Sequence, residues 1–314
     1  MEQIEPRTVL ALAGPTAVGK TEVAIALARR LPISIISIDS AMVYRGMDIG
    51  TAKPAAAILE CYPHALVDIR DPLEAYSAAD FLRDADAAVR QAWQAGQLPV
   101  LVGGTMLYLR TFRDGLASMP GANAEVRRKL NTQAAATGWN ALYERLCEID
   151  PIAAAKIHPN NHSRLQRALE VYELTGQPIS QFWAGGTGAD AGSRLGAKLL
   201  EFAIEPDDRA LLHGRIEQRF DAMLEAGFIA EVAALRERGD LDLSLPALRA
   251  VGYRQAWEHL DGMHDAPGMR ARTLAATRQL AKRQLTWLRG WPWMRRFTWG
   301  EPALLAAEIE HQLT

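Results

Sequence analysis

Gly14-Pro15-Thr16-Ala17-Val18-Gly19-Lys20-Thr21 is the stretch that decides the fold. It matches G-x-x-x-x-G-K-[ST] and stands between the apolar run Val9 to Ala13 and the Ala-rich amphipathic segment Glu22 to Arg30, the strand–loop–helix setting this pattern requires. Glycines let successive backbone N–H groups curl around an anion, and the helix N-terminus behind them adds partial positive charge. Lys20 supplies a point charge and the Thr21 hydroxyl suits Mg²⁺. Such a loop reads two linked phosphates and not what hangs from them, so the pattern alone leaves the choice between a nucleotide and another diphosphate open.

Outward from the loop, Ile33 to Ile38 reads as a second strand, and a helical pattern from Ala78 to Ala95 leads through Gly96 to a third apolar run, Pro99 to Val102. Short strands without polar alternation are those buried on both faces of a parallel sheet. The character changes after Gly115 to Gly121: from Asn123 to Trp183 the pattern is helical, with Asp150-Pro151 as a helix start and Gly176 as a stop. Ala184 to Ser193 carries four glycines and reads as a flexible linker, after which Lys198 to Ile204 returns to strand character and helices are expected to the end. The expected fold is α/β, a P-loop NTPase-like parallel sheet flanked by helices, with an inserted all-helical domain. Residues 1–116 and 198–314 would form the core and 117–197 the insertion.

Composition bounds the function. Of 314 residues, 49% are hydrophobic and 23% charged, the profile of a chain that folds around a core. No apolar stretch reaches the roughly 18 residues a membrane helix needs, and Glu2 and Glu5 stand where an export signal would carry positive charge. Two cysteines, Cys61 and Cys147, make neither a disulfide framework nor metal-ligand spacing, which fits a reducing cytoplasm. The net charge of −2 is unevenly spread. Met269 to Trp299 holds eight basic residues (Arg270, Arg272, Arg278, Lys282, Arg283, Arg289, Arg295, Arg296), no acid and four of the eight tryptophans, so the remainder carries −10. Basic residues interleaved with aromatics suit a polyanion, and tryptophans at helical spacing equally suit a core.

Three further constellations carry chemistry. Asp39 follows the second strand and precedes Ser40, which places its carboxylate on the sheet rim beside the loop, as a general base or as the cap of the next turn. Arg215 and Arg219 share a helix face without a carboxylate three or four positions away, as an external anion or a distant ion pair would explain. Arg164, Gln166 and Arg167 form a donor-rich face suited to phosphates, or to solvent. The third strand runs into Gly103-Gly104-Thr105 instead of the aspartate that many P-loop NTPases place there to hold Mg²⁺, which weakens a motor-type reading. A P-loop kinase of a small molecule, a prenyltransferase acting on free adenylate and an RNA-binding P-loop module without transfer chemistry all remain competitors.

Taken together these pieces resemble the bacterial tRNA dimethylallyltransferases, or tRNA isopentenyltransferases. The resemblance rests on the loop, on Asp39-Ser40, on Val43 to Pro54, on Asp68 to Pro72, and on Gly103-Gly104-Thr105 with Leu107-Tyr108. It continues through His158-Pro159-Asn160, Arg164, Arg167 to Val171, Val251 to Gln255 and Thr277 to Gln284. It implies transfer of a dimethylallyl group from dimethylallyl diphosphate to N6 of the adenine 3′ of the anticodon, tRNA position 37, in tRNAs reading codons that begin with U. Mg²⁺ on Thr21 would assist. By the same resemblance Asp39 and Thr105 act on the acceptor, and Gly14 to Thr21 with Arg219 hold the diphosphate. RNA contacts map to Asp39, Ser40, Ala41, Met42, Thr105, Arg127, Ser163, Arg164, Leu165, Gln166 and Arg167, and to Arg249, Ala250, Val251, Gly252, Tyr253 and Arg254. The insertion would clamp the anticodon stem and loop, and a monomer is expected. The chain departs from the family at Met42, where Gln is common, and at Asn161, where Asp is common.

Overall fold

A computed structural model describes residues 7–186 and 188–313. Glu2 and Glu5, weighed above against an export signal, and Thr187 of the glycine-bearing linker lie outside them. The chain divides into two compact units, 1–113 with 191–314, and 114–190.

The larger unit is built on β1 (Thr8–Ala13), β2 (Ile33–Ile38), β3 (His64–Ala65), β4 (Leu98–Gly103), β5 (Lys198–Glu205) and β6 (Arg295–Thr298). They form one sheet in the order β3-β2-β4-β1-β5-β6 with every pair parallel. β1 is apolar throughout because both of its faces are covered. Val9, Ala11 and Ala13 join one core with Phe81, Ala85 and Val89 of α3 (Ala78–Gln94). Leu10 and Leu12 join another with Val23, Ala24 and Leu27 of α1 (Lys20–Ala28) and with Leu305, Ala306 and Ile309 of α14 (Pro302–His311). Successive strand residues point to opposite faces, so one run feeds two cores.

Between these lie α2 (Ala56–Cys61), α4 (Met106–Asp114), α9 (Ala191–Leu195), α10 (Arg209–Glu225), α11 (Phe228–Glu237), α12 (Tyr253–Leu260) and α13 (Ala266–Arg289). The expectation of helices to the C-terminus needs correction: β6 is a sixth parallel strand, paired to β5 from Phe202↔Arg295 to Glu205↔Thr298. Only Phe297 of its four residues is buried, stacked on Phe202 at 5.5 Å, so too little apolar pattern exists to mark a strand at this edge.

The smaller unit holds α5 (Ala124–Ile149), α6 (Pro151–Ala154), α7 (His162–Thr175) and α8 (Ile179–Ala184) around Leu130, Leu146, Leu165 and Leu169. Gly138, at φ 83°, breaks α5 into two helical pieces. Asn161 caps α7 by accepting from the Arg164 N–H at 3.3 Å, so the departure from the family's Asp keeps the cap. Asp150 is 2% exposed and accepts two backbone bonds, from Ala153 N at 2.9 Å and Ser180 N at 2.8 Å. Asp150→Ala strands both donors and is expected to destabilise this unit by about 1–3 kcal/mol, read by denaturant unfolding.

Candidate active site

Parallel strands bring their C-terminal ends to one rim, and there the loops after β1, β2 and β4 meet. They line a cavity of about 1030 Å³, completed by α10, by residues 249–252 and by α13.

The loop Gly14 to Thr21 wraps one side. Ala17 and Gly19 have left-handed backbones, φ 64° and 92°. For Gly19 this costs nothing steric, whereas an L-residue such as Ala17 bears about 1–2 kcal/mol. α1 starts behind Gly19 without any side-chain cap, so its first N–H groups stay available to an anion. Lys20 donates from Nζ to the Pro15 carbonyl at 2.7 Å. Burial, then repulsion from Arg219, lowers the Lys20 ammonium to about 8. Arg219 reaches the Thr16 hydroxyl at 3.5 Å, and burial pulls its guanidinium down too, against the opposing charge of Asp39. Two partly buried cations thus flank one anion-shaped loop. Arg215, the other arginine of that face, lies 4.2 Å over the Trp299 ring and also lines the cavity.

The other side is built from the ends of β2 and β4, which pair Ile38 with Gly103. Asp39 Oδ1 accepts from the N–H groups of Ala41 at 2.8 Å and Met42 at 3.3 Å, so the turn-capping role is real and both bonds fall on one oxygen. Thr105 Oγ1 accepts from Ser40 N at 3.1 Å and donates to Ser40 Oγ at 3.4 Å. Asp39, Ser40, Ala41, Met42, Thr105 and Arg249 to Gly252 therefore share the cavity with Gly19, Lys20, Thr21 and Arg219. The Met42 sulphur, where the family favours an amide, accepts from the Ser37 hydroxyl at 3.9 Å.

Other expected contacts are placed differently. Tyr253 is 0% exposed and donates to Glu231 Oε1 at 2.6 Å. That carboxylate also accepts from Asp48, Ile49 and Gly50 N–H groups, so Tyr253 braces the loop that follows Tyr44. Arg254 is exposed and pairs with Glu258 at 3.2 Å. In the helical unit Leu165 is a core residue. Gln166 bonds Asn131 at 2.7 Å. Arg127 and Arg167 both bond the fully buried Glu170, at 2.9 and 2.7 Å. Burial alone would raise the Glu170 carboxyl, and these guanidinium bonds outweigh it and hold it below the usual range. Ser163 and Arg164 are exposed at the start of α7.

The basic C-terminal stretch is only partly open. Arg270 pairs with Glu217 and Asp221 at 2.8 and 2.7 Å, Arg278 approaches Glu217 at 3.7 Å, and Arg296 bonds Glu205. Trp291 is buried against Trp287, which also lines the cavity, while Trp293 stays exposed and donates to Glu201 at 2.9 Å, so only Trp291 is a core residue. Lys282 and Arg283 stay exposed, and Arg283 lines the cavity. Sequence reasoning assigned no role to Gln284, which binds the P-loop from α13. Its signal was a polar residue on the buried stripe with Ala281 and Leu288.

Fold and site together define a P-loop α/β protein with a phosphate-type loop and an acidic rim facing one cavity. Residues 42–291 match the family described as IPP transferase. The tRNA dimethylallyltransferases of Alkalilimnicola ehrlichii and Thioalkalivibrio sulfidiphilus are 57% and 58% identical, each over 90% of this chain and 87% of the relative. The full-length tRNA isopentenylpyrophosphate transferase of Bacillus halodurans is similar at TM-score 0.70 and 36% identity, covering 98% of this chain and 97% of that one. A eukaryotic dimethylallyltransferase captured acting on tRNA is similar at TM-score 0.78 and 25% identity, covering 98% and 77%. The chain belongs to the IPP transferase family.

A diphosphate entering beside Lys20 would raise the ammonium from about 8, so affinity should be full below that pH and fall as the pH climbs through it. Titration calorimetry with inorganic pyrophosphate at pH 7 and pH 9 checks this, with proton uptake expected at the higher pH and seen as a buffer-dependent enthalpy.

Proposed function

We propose that this chain transfers a dimethylallyl group from dimethylallyl diphosphate to N6 of the adenine 3′ of the anticodon, tRNA position 37, in tRNAs reading codons that begin with U. The observation that carries the reading is one cavity lined by the cations Lys20 and Arg219 together with Asp39, whose charge acts on both, and Thr105. Names of relatives at 57% and 58% identity support it.

In the reaction the C1–O bond to the diphosphate breaks, a bond from adenine N6 to C1 forms, and one N6 proton leaves. Lys20, Arg219 and the N–H groups of the loop neutralise charge on the departing pyrophosphate. Asp39, with one oxygen fixed by the turn, receives the proton, and Thr105 orients the acceptor beside it. Mg²⁺ keeps several waters and takes substrate phosphate oxygens as ligands, so it needs few protein donors. Thr21, which lines the cavity beside Lys20, would hold the ion through its hydroxyl. There it would supply further charge neutralisation on the leaving group. Exposed Ser163 and Arg164, with Arg127 and Arg167, would meet the anticodon stem and loop, as would Arg249, Lys282 and Arg283. No helix among the described residues is long and apolar enough to cross a membrane.

Asp39→Asn should retain tRNA binding and lose transfer by roughly 10²-fold or more, measured with labelled dimethylallyl diphosphate, Mg²⁺ and tRNA in the absence of ATP. Near wild-type turnover would remove Asp39 from the chemistry, and phosphoryl transfer from ATP without prenyl transfer would make the protein a kinase. Lys282→Ala with Arg283→Ala should weaken tRNA binding and flatten its log–log salt slope by about 0.7 to 0.9 for each phosphate that is no longer neutralised. An unchanged slope would assign both residues to solvation alone.

A further inference from the structure

α13 reaches the site through one buried amide. Gln284 is 7% exposed, and its side-chain oxygen accepts from the Thr16 N–H at 2.9 Å while its nitrogen donates to the Gly104 carbonyl at 2.9 Å. Thr16 N–H can only donate and the Gly104 carbonyl can only accept, so the amide has one satisfied orientation. These two bonds tie Gln284 to residues 268 and 180 positions away. Gly104 makes room for it: a Cβ there would lie 2.4 Å from the Gln284 nitrogen.

The two bonded positions leave neighbouring strands, since β1 and β4 pair Ala13 with Gly103, and from there the chain runs one way into the diphosphate loop and the other way into the acceptor rim. Thr16 follows Pro15, whose carbonyl holds Lys20, and its own hydroxyl meets Arg219. Gly104 precedes Thr105, which bonds Ser40 beside Asp39. We propose that Gln284 is a positioning residue for transfer, whose amide fixes the spacing between the diphosphate loop and the acceptor rim. By accepting from Thr16, Gln284 also withdraws that N–H from the anion and leaves Ala17 onward as the cradle. Displacement of a reacting group by about 1 Å can cost on the order of 10²-fold in rate, so a lost bridge should appear in kcat more than in RNA affinity.

The inference rests on the prenyl transfer proposed above. Gln284→Met keeps the volume and removes both bonds. It should lower kcat by about 10- to 100-fold, with tRNA Kd within about 3-fold and Tm close to wild type. Gln284→Glu keeps the acceptor and loses the donor while its carboxyl is ionised. Protonation restores the donor, so the ratio of its rate to that of wild type should rise as pH is lowered. A Gln284→Met variant with wild-type kcat and only a lower Tm overturns the proposal. So does a pH-independent ratio for Gln284→Glu, which also decides the matter if the Met variant does not fold. Wild-type protein run alongside separates the two readings: wild type that transfers nothing removes the prenyl-transfer reading, and variants that match an active wild type remove only the role of Gln284.

Discussion

Lys20 and Arg219, both partly buried on one cavity, repel each other, and Asp39 and Glu22 offset part of that repulsion. The positive charge that these two acids leave uncompensated is open to whatever anion enters. The surrounding architecture can be understood as the means of holding the two cations there. The parallel sheet sets the loops after β1, β2 and β4 on one rim, α10 returns from beyond the helical insertion to deliver Arg219, and α13 closes the wall.

The helical unit handles positive charge in the opposite way. Arg127 and Arg167 converge on Glu170, whose carboxylate is fully buried and also accepts the Asn123 N–H at 2.7 Å. Removing one partner from such a cluster leaves an uncompensated buried charge, so each member of the contact between α5 and α7 depends on the others. The Arg127 side chain remains 42% exposed, so it serves the fold through Glu170 without being closed off from solvent. A single arginine can thus be a structural residue and a candidate RNA contact together.

What could be read in advance was local. The loop from Gly14 to Thr21, the apolar strands beside it and the Asp39 turn announce themselves because each is encoded within a few residues. The parallel sheet follows from their spacing. The resemblance over Thr277 to Gln284 pointed at α13 without saying what Gln284 touches, since its partners lie 180 and 268 residues away. Separations of 49 to 91 residues likewise hid the acids from α10 and β5 that pair with Arg270, Arg278 and Arg296, so the C-terminal stretch looked more basic than its surface is. Tyr253 sits in a segment whose neighbours line the cavity, and only its helix phase, turned toward Phe228 and Glu231, takes it out of reach. β6 was missed because one buried Phe297 makes no period.

The strand order also sets a schedule for the nascent chain. β1 lies at the centre, and its partner on one side, β4, ends at Gly103, while its partner on the other side, β5, ends at Glu205. Synthesis at about 5–20 residues per second leaves that open edge unpaired for roughly 5–20 s while the helical insertion is made. An apolar strand with an unsatisfied backbone edge invites pairing with another chain. The insertion therefore has a second effect besides whatever it binds: it lengthens the interval in which the newborn sheet depends on the ribosome, or on a chaperone, to keep its central edge covered.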